Sequence, residues 1–426
     1  MRPSSSPSEP ALDALPPEPP PGLFDEVTAH GPARAAVADP AWLRHLLAAE
    51  AALATAQAEL GIIPPAAAVA IAAACRPERF DLTELARAAA GPGNPVPPLV
   101  TALRSEVGGE AAEYVHYGTT SQDLLDTAAM LITRDALEPL YGSVSRAAGA
   151  AARLARTHRD TPMAGRTLLQ HARPVTFGLV AAGWLAALST AAGLLTGARD
   201  LLAVQLGGPV GTLEAYRDAG PRLVVRFAAA LGLPAPALPW HTDRTRVGQL
   251  AGLLGTVAGA AGKVARDVTL LASSEVGELA EGSHGGAAGQ TSGASEAEPP
   301  PVHGGSSAMP HKRNPAAAVS ALASAAQAPG LVATLQAAMV QEHQRAAGAW
   351  QAEWRPLREL LVTTGSAAQW LSECLAGLVV DEDRMAVNLA RLAHTVGLAD
   401  PTEHLGAAGE LVDRALAAHP GYEEEQ

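Results

Sequence analysis

The segment Ser306–Pro315 carries the side chains best suited to proton-transfer chemistry, because two hydroxyls, a lysine and an amide fall within nine residues. A lysine and an amide beside Ser306 could make its hydroxyl more acidic and could also stabilise an enediolate-like oxyanion. The 25 residues before it, Glu281–Gly305, are rich in Gly, Ser and Pro, and a loop of this length is either functional or disordered. A basic turn that enters a helix through Asn314-Pro315 is the alternative interpretation.

A second polar segment, His116–Asp123, lies where a long helical pattern begins. Thr120 or Ser121 is suited to cap that helix, which is a structural role. Free backbone N–H groups and hydroxyls at a helix N-terminus also attract anions. This helix start is therefore a candidate carboxylate site as well as a cap.

Helical patterns occupy almost all of the chain between these segments. The periodicity predicts long helices at Ser121–Thr157, Pro174–Leu202, Arg217–Leu231, Thr245–Ser274, Ala316–His343 and Glu353–Leu378. Shorter ones are predicted at Asp39–Leu60, Pro65–Ala74, Asp81–Ala90 and Pro97–Val107, with two or three more between Asp381 and His419. No alternating pattern of useful length indicates a strand. Helices this long must pack against other long helices, so the sequence predicts an all-α fold centred on an extended bundle.

The distribution of proline and of the long helices predicts four regions. Residues 1–22 are a Pro-rich leader that we expect to be disordered. An N-terminal helical domain follows at 23–114, and then a long-helix domain at 115–364 that contains the flexible loop 281–305. A C-terminal helical domain is predicted at 365–426.

Composition limits the function classes. An excess of 43 acidic over 30 basic residues gives a net charge of −13, which argues against broad nucleic-acid binding. Long uncharged runs such as 174–198 are long enough to span a membrane, but their Ala, Gly, Ser and Thr content favours the centre of a helical bundle. No apolar signal segment opens the chain. Cys75 and Cys374 lie too far apart in sequence to indicate a disulfide framework or a zinc site, so we expect a cytoplasmic protein.

The string G-S-S-A-M-P-H-K-R-N-P at Gly305–Pro315 resembles the signature G-S-S-x-M-P-x-K-x-N-P of the fumarase/aspartase superfamily. The resemblance implies that Ser306 is the catalytic base. It also implies that Lys312 and Asn314 bind the substrate carboxylate that becomes an aci-carboxylate. For the fold, it implies the long helical bundle of that superfamily.

The segment His116–Asp123 is similar to the first conserved region of the same superfamily. This similarity implies that Thr120, Ser121 and Gln122 contact the substrate. His116 could line the same site, although a single histidine is about as often structural.

The segment Gly165–Gly178 resembles the second conserved region, in which many members carry Gly-Arg-Thr-His. That histidine, paired with a glutamate thirteen residues beyond the catalytic serine, assists protonation of the leaving group. Here Leu168 and Val319 take the two places, so both partners are absent together. A carboxylate leaving group, with a pKa of about 4, needs no proton at neutral pH. The two replacements therefore indicate a reaction in which a carboxylate is the nucleophile or the leaving group.

Within the superfamily, lactone formation by a carboxylate belongs to the bacterial 3-carboxy-cis,cis-muconate cycloisomerases. Further segments resemble those enzymes: Q-E-H-Q-R at Gln341–Arg345, W-Q-A-E-W at Trp350–Trp354, W-H-T at Trp240–Thr242 and L-Q-H-A-R-P-V-T-F-G at 169–178. The resemblance covers about Asp25 to Pro401. It implies a small tricarboxylate substrate of the β-ketoadipate route of aromatic catabolism.

The resemblance also implies which groups carry the chemistry. One carboxylate of the substrate adds to the conjugated double bond, and either Ser306 or His171 delivers a proton to carbon. Gln170, next to His171, is a further candidate ligand. The remaining substrate carboxylates need cations, for which the candidates are Arg345 first, then Arg313 and Arg244.

No cofactor, metal, nucleic acid or membrane is implied, and the expected assembly is a homotetramer whose active sites are shared between subunits. Two alternatives stay open. A β-elimination of the adenylosuccinate lyase type would require the missing His–Glu pair. A non-catalytic helical scaffold of the same fold would not need Ser306, Lys312 and Asn314 at the family spacing.

Overall fold

The computed structural model describes residues 22–282, 309, 312–419 and 421. Most of the predicted leader 1–22, most of the loop 281–305 and Ser306 lie outside the described residues.

The N-terminal part of the chain is a group of mostly short helices around one longer helix. The helices are α1 (Asp25–Thr28), α2 (Ala33–Ala36), α3 (Asp39–Glu59), α4 (Pro65–Ala74), α5 (Leu82–Ala88) and α6 (Val96–Val107). Proline at the first turn starts α3, α4 and α6, where a missing N–H costs nothing. In α5 the Asp81 side chain accepts hydrogen bonds from the first backbone N–H groups, as an N-cap does.

The central part is a bundle of long helices around the 37-residue helix α7. Its members are α7 (Ser121–Thr157), α8 (Phe177–Gly197), α9 (Gly220–Leu231), α10 (Thr245–Leu271), α11 (Ala316–Ala325), α12 (Ala328–Ala337) and α13 (Ala349–Ala376). Short helices α14 (Glu382–Val396) and α15 (Ala408–Ala418) follow. Single turns of 3-10 helix lie at Pro77–Arg79, Glu110–Tyr114, Ala198–Leu201, Glu214–Ala219 and Pro401–His404.

The hydrophobic core forms two large clusters along α7. The first cluster joins the first half of α7 to α3, α9 and the start of α10, and includes Leu124, Leu131 and Phe227. The second half packs with α8, α10 and α13 around Trp184. Many α7 contacts in this half are alanines, whose small side chains let neighbouring helices approach closely and which favour helix formation.

Two small antiparallel sheets lie among the helices, and the sequence analysis missed both. Strand β1 (Pro162–Thr167) pairs with β2 (Gln170–Thr176), and β3 (Leu279–Glu281) pairs with β4 (Leu378–Val380). The β1–β2 register shifts at Gly165, where a Cβ atom would lie 2.4 Å from a backbone oxygen of the opposite strand. The proline that was expected to begin a helix, Pro174, lies instead in β2 opposite Ala164.

The all-α class is confirmed, with corrections to individual elements. The structure has α7 at the predicted bounds. The predicted helix at 316–343 is instead two helices, because Pro329 in the first turn of α12 cannot continue the hydrogen bonds of α11. The division placed between residues 364 and 365 lies inside α13, so a continuous helix crosses it.

Two segments are long and apolar enough to cross a membrane by length and composition alone. They are Phe177–Leu201 and Ala316–Ala337, with mean hydropathies of 1.7 and 1.4. About half of the first apolar window and 39% of the second are buried against the rest of the chain. Helices at the centre of a bundle have the same composition, because they are covered on most sides by other helices.

Candidate functional site

The polar segment before α7 is held in a fixed shape by its own residues. Thr120 caps the helix, and together with Asp123 it forms a capping box in which each side chain accepts the other residue's backbone N–H. Gly118 has a φ of 70°, and a Cβ atom there would lie 2.6 Å from the ring of Tyr216. Only glycine fits this turn, which sets the direction in which the chain enters α7.

The carboxylate of Asp123 connects this segment to two others. It is fully buried and accepts five hydrogen bonds, one of which is the capping-box bond from the backbone N–H of Thr120. The donors are Thr119 Oγ1 at 3.0 Å, Thr120 N at 3.1 Å, Gly207 N at 2.9 Å, Gly208 N at 2.9 Å and His241 Nε2 at 2.7 Å. Because so many donors converge on one anion, the three segments are fixed relative to one another.

One turn along α7, a buried ion cluster excludes Arg244 as a substrate ligand. The Arg244 guanidinium donates hydrogen bonds to Asp126 through two nitrogens, at 2.7 and 3.1 Å, and to Glu353 at 2.6 Å. All three side chains are 3–4% exposed. Burial raises the pKa of Glu353, against the opposing effect of Arg244. The expectation that Arg244 binds a substrate carboxylate is therefore corrected: two carboxylates already compensate its charge.

Arg345, the first-ranked cation, lies at the edge of the same region. Its Nη1 is 3.2 Å from Oε1 of Gln122, and its Nη2 donates to the carbonyl of Pro209 at 2.9 Å. The backbone carbonyl of His343, two residues earlier, accepts from Thr242 Oγ1 at 3.0 Å. The structure thus brings Arg345 to the start of α7, beside the predicted ligands Thr120, Ser121 and Gln122.

His116 lies just before this group and has a strong partner of its own. Its Nδ1 is 2.6 Å from Oε1 of Glu50, a carboxylate that is 2% exposed. The backbone of His116 is in the left-handed region, with a φ of 61°. The contact with Glu50 gives His116 a structural role, and its side chain, 15% exposed, is only slightly accessible to a ligand.

The second conserved region forms the β1–β2 hairpin near the opposite end of α7. Its two-residue tip is Leu168-Leu169, with φ values of 51° and 64°, and these side chains are 97% and 75% exposed. Left-handed backbone is unfavourable for leucine, and strain of this kind is found mostly at functional sites. Close to this tip, opposite His171, Arg166 forms a two-pronged ion pair with the buried Glu278, at 2.7 and 2.9 Å.

The predicted residues Gln170 and His171 follow the tip and are exposed. His171 faces a cleft of about 990 Å³ between the hairpin, α8, α10 and α14. A smaller cavity of about 260 Å³ lies between α3, α5, α6 and α13; its lining is mostly apolar and includes none of the predicted site residues.

The described part of the signature segment lies at this hairpin end. Lys312 and Arg313 are exposed, and Asn314 is half-buried at the entry to α11. The Glu281 carboxylate accepts from the backbone N–H groups of Ala317 and Ala318, at 3.1 and 2.8 Å, and so caps α11. Glu281 ends β3, three residues beyond the Glu278 that holds the hairpin.

The predicted site residues therefore fall into two groups at opposite ends of α7. His116, Thr120, Ser121, Gln122 and Arg345 lie at its N-terminal end, whereas Gln170, His171, Lys312, Arg313 and Asn314 lie at the hairpin end. At 1.5 Å per residue, the 37 residues of α7 span about 55 Å. No small substrate bridges that distance, so one chain does not by itself assemble all of these residues.

Comparison with known proteins places these residues in a family. A family model described as Lyase matches residues 19–330. The chain belongs to this lyase family. A nitrosuccinate lyase from Streptomyces davaonensis is 47% identical over 379 residues, 86% of this chain and 77% of that protein. A 3-carboxy-cis,cis-muconate cycloisomerase from Bradyrhizobium diazoefficiens is 46% identical over 360 residues, 84% of this chain and 76% of that protein.

Solved structures agree with the family. The 3-carboxy-cis,cis-muconate lactonizing enzyme from Pseudomonas putida superposes with a TM-score of 0.84 at 34% identity, over 94% of this chain and 99% of that chain. The predicted fumarase/aspartase-like bundle is confirmed by this likeness. Among the described residues of this lyase, no group of three or more His, Cys, Asp or Glu side chains is arranged to hold a metal ion.

Sequence reasoning missed the residues that hold this site in place. Asp123 was treated only as part of a polar string, although a carboxylate three residues after a Thr cap is the signal of a capping box. Glu278 and Glu281 flank no recognised motif, and only the fold brings them to Arg166 and α11.

Replacing Asp123 by Asn tests its role as the common acceptor. An amide offers one oxygen where the carboxylate offers two, and its NH2 group faces donors. We expect the free energy of unfolding to fall by about 2–4 kcal/mol, since the buried donors that face the replaced oxygen lose their acceptor, whichever oxygen it is. Denaturant unfolding measures this, with the exposed Asp218→Asn as the matched control, expected within about 0.5 kcal/mol of the parent. Equal stability of both variants would contradict the role of Asp123.

Proposed function

We propose that this chain is an intramolecular lyase that converts 3-carboxy-cis,cis-muconate to 4-carboxymuconolactone in the β-ketoadipate (protocatechuate) route of aromatic catabolism. The observation that carries the proposal is Leu168, 97% exposed at the hairpin tip, where many members of the superfamily have a proton-donating histidine. Loss of that donor suits a reaction whose nucleophile is a carboxylate, which neither takes nor needs a proton at neutral pH.

The reaction is an addition followed by protonation. An oxygen of one substrate carboxylate forms a C–O bond to the conjugated diene and closes a five-membered lactone. The electron pair of the attacked double bond moves onto the carboxylate conjugated with that bond, giving an aci-carboxylate, while the other double bond stays in the lactone ring. A proton then adds to carbon, so the trianionic substrate becomes a dianionic product and one proton is consumed.

The residues of the chain supply charge and position in this scheme. Lys312 and Asn314 hold the carboxylate that becomes the aci-carboxylate, where a fixed cation stabilises the added charge. Arg345 and the start of α7, at Thr120 and Ser121, take a second carboxylate. Ser306 or His171 delivers the proton; Ser306 lies outside the described residues.

Assembly of several copies is part of the proposal. The two groups of site residues are about 55 Å apart along the 37 residues of α7, so a complete site needs the N-terminal end of one copy beside the hairpin end of another. We propose a homotetramer that works in the cytoplasm. Packing between copies would also cover the leucines of the hairpin tip and Val319, which is 51% exposed.

A second candidate is elimination of nitrite from nitrosuccinate. The 47% identity to a nitrosuccinate lyase favours it. Leu168 and Val319, which take the places of the family's His–Glu pair, are compatible with this reaction too. Nitrite, like a carboxylate, is a stable anion that leaves without a proton. The two substrates differ in the number of carboxylates that cationic side chains must bind: the muconate has three and nitrosuccinate has two.

Purified protein assayed in weak buffer with a pH indicator separates the two reactions. With 3-carboxy-cis,cis-muconate we expect loss of the diene's ultraviolet absorbance together with uptake of one proton per turnover. Nitrosuccinate would instead release nitrite, fumarate and a proton. Turnover of nitrosuccinate alone would replace the first candidate by the second, and adenylosuccinate turnover would contradict both.

The role of Leu168 gives a second prediction. If the side chain at position 168 transfers no proton, Leu168→Ala lowers kcat by less than about tenfold, an effect of packing alone. Lys312→Ala, the control that removes a charge-stabilising group, is expected to lower kcat by about a hundredfold or more. Steady-state kinetics with the accepted substrate measures both. A loss of kcat in Leu168→Ala as large as that in Lys312→Ala would contradict the proposed chemistry.

A further inference from the structure

The side-chain amide of Gln122 has only one orientation that its surroundings allow. Gln122 is fully buried, and its Nε2 donates to Oδ2 of Asp126 at 3.1 Å and to the carbonyl of His241 at 2.8 Å. Both partners are acceptors, so the reversed amide would place an oxygen against two oxygens. The Oε1 atom must therefore face the other way, where it meets Nη1 of Arg345 at 3.2 Å.

Asp126 is itself held as an acceptor by groups that do not touch Arg345. Arg244 donates to both of its oxygens, and Trp350 Nε1 donates to Oδ1 at 3.0 Å. Glu353 fixes Arg244 from the other side, and Gln341 Nε2 donates to Glu353 at 2.9 Å. Asp126 is 3% exposed, so water does not substitute for these partners.

Arg345 differs from Arg244 in what compensates its charge. Its hydrogen-bond partners are the amide oxygen of Gln122 and the backbone carbonyls of Gly208 and Pro209, all of them neutral. Within the described part of the chain, no ion pair with a carboxylate involves Arg345. Neutral acceptors fix the direction of the guanidinium without cancelling its charge, which is the arrangement that an anion-binding arginine requires.

We propose that Asp126 is a positioning residue for Arg345: it sets the amide of Gln122, and the amide oxygen holds the arginine ready for a substrate carboxylate. The inference rests on the proposed function in taking Arg345 as a carboxylate ligand. It adds a residue that touches neither substrate nor Arg345. The Arg244–Glu353 pair is then a support that keeps Asp126 in place, and not a second anion site.

The test measures binding separately from turnover. The probe is propane-1,2,3-tricarboxylate, which carries three carboxylates and no double bond, titrated into the full-length protein by calorimetry. In Asp126→Asn the new amide cannot accept from Arg244, Trp350 and Gln122 together, so Gln122 is no longer held and Arg345 loses its direction. We expect Kd for the probe to rise about tenfold, and KM for the substrate to rise with it while kcat stays within about threefold.

Two further variants separate positioning from general loss of structure. Asp135→Asn is the control, because Asp135 is another ion-paired carboxylate on α7, partly buried and bonded to His45 at 2.8 Å. It is expected to leave Kd unchanged. Gln122→Met removes the connecting amide, and the double variant with Asp126→Asn should bind no more weakly than either single variant, since both interrupt one connection.

The outcomes are distinct. An unchanged Kd in Asp126→Asn, or additive effects in the double variant, would overturn the positioning role. If Asp126→Asn does not fold, Gln122→Met is the deciding variant. A Kd of this variant for the probe within about twofold of the parent value contradicts the connection from Asp126 through Gln122 to Arg345. Because the probe does not react, failure of the parent protein to turn over 3-carboxy-cis,cis-muconate would sink the proposed function while this result still stands.

Discussion

The carboxylate of Asp123 is the interaction on which the first half of the site depends. It is buried in the first turn of α7 and accepts from the segment before that helix, from Gly207 and Gly208, and from His241. A buried anion is tolerated only when donors surround it, so the three segments cannot separate without exposing its charge to an apolar interior. Because Asp123 fixes the start of α7, the nearby residues Gln122 and Asp126 are held in fixed positions as well. The position of Arg345 follows, because it donates to the amide oxygen of Gln122.

The length of α7 is the second constraint. A continuous helix of 37 residues keeps its two ends about 55 Å apart, and the hydrophobic core along it gives the chain no means of folding one end onto the other. The groups that resemble the family's first conserved region and its signature segment lie at those two ends. Packing of several copies side by side solves this problem and also accounts for the composition, since uncharged, alanine-rich helices such as α8 can then be covered by neighbours on more than one face.

The sequence was sufficient wherever local chemistry decides the structure. The bounds of α7 follow from the Thr120 cap and the helical period that begins there. The break between α11 and α12 was not predicted, although Pro329 signals it, because the apolar period continues past that proline. The β1–β2 hairpin could not be found in this way, because its strands are short, contain Gly165 and Pro174, and turn at two leucines that no turn rule favours. Likewise Arg244 has the same charge in the sequence as Arg345. Only the fold shows that two carboxylates compensate the charge of Arg244, whereas neutral oxygens hold Arg345.

Complementation between variants tests most directly whether copies share their sites. Lys312→Ala disables the hairpin-end group and Arg345→Ala the N-terminal group, so each homo-oligomer should be nearly inactive. After the two are unfolded, mixed in equal amounts and refolded, a site that takes each group from a different copy recovers its intact pair in about one quarter of cases, half times half. The account predicts that about this fraction of parental activity returns, compared with each variant refolded alone. A mixture that forms oligomers yet stays as inactive as the separate variants would contradict it.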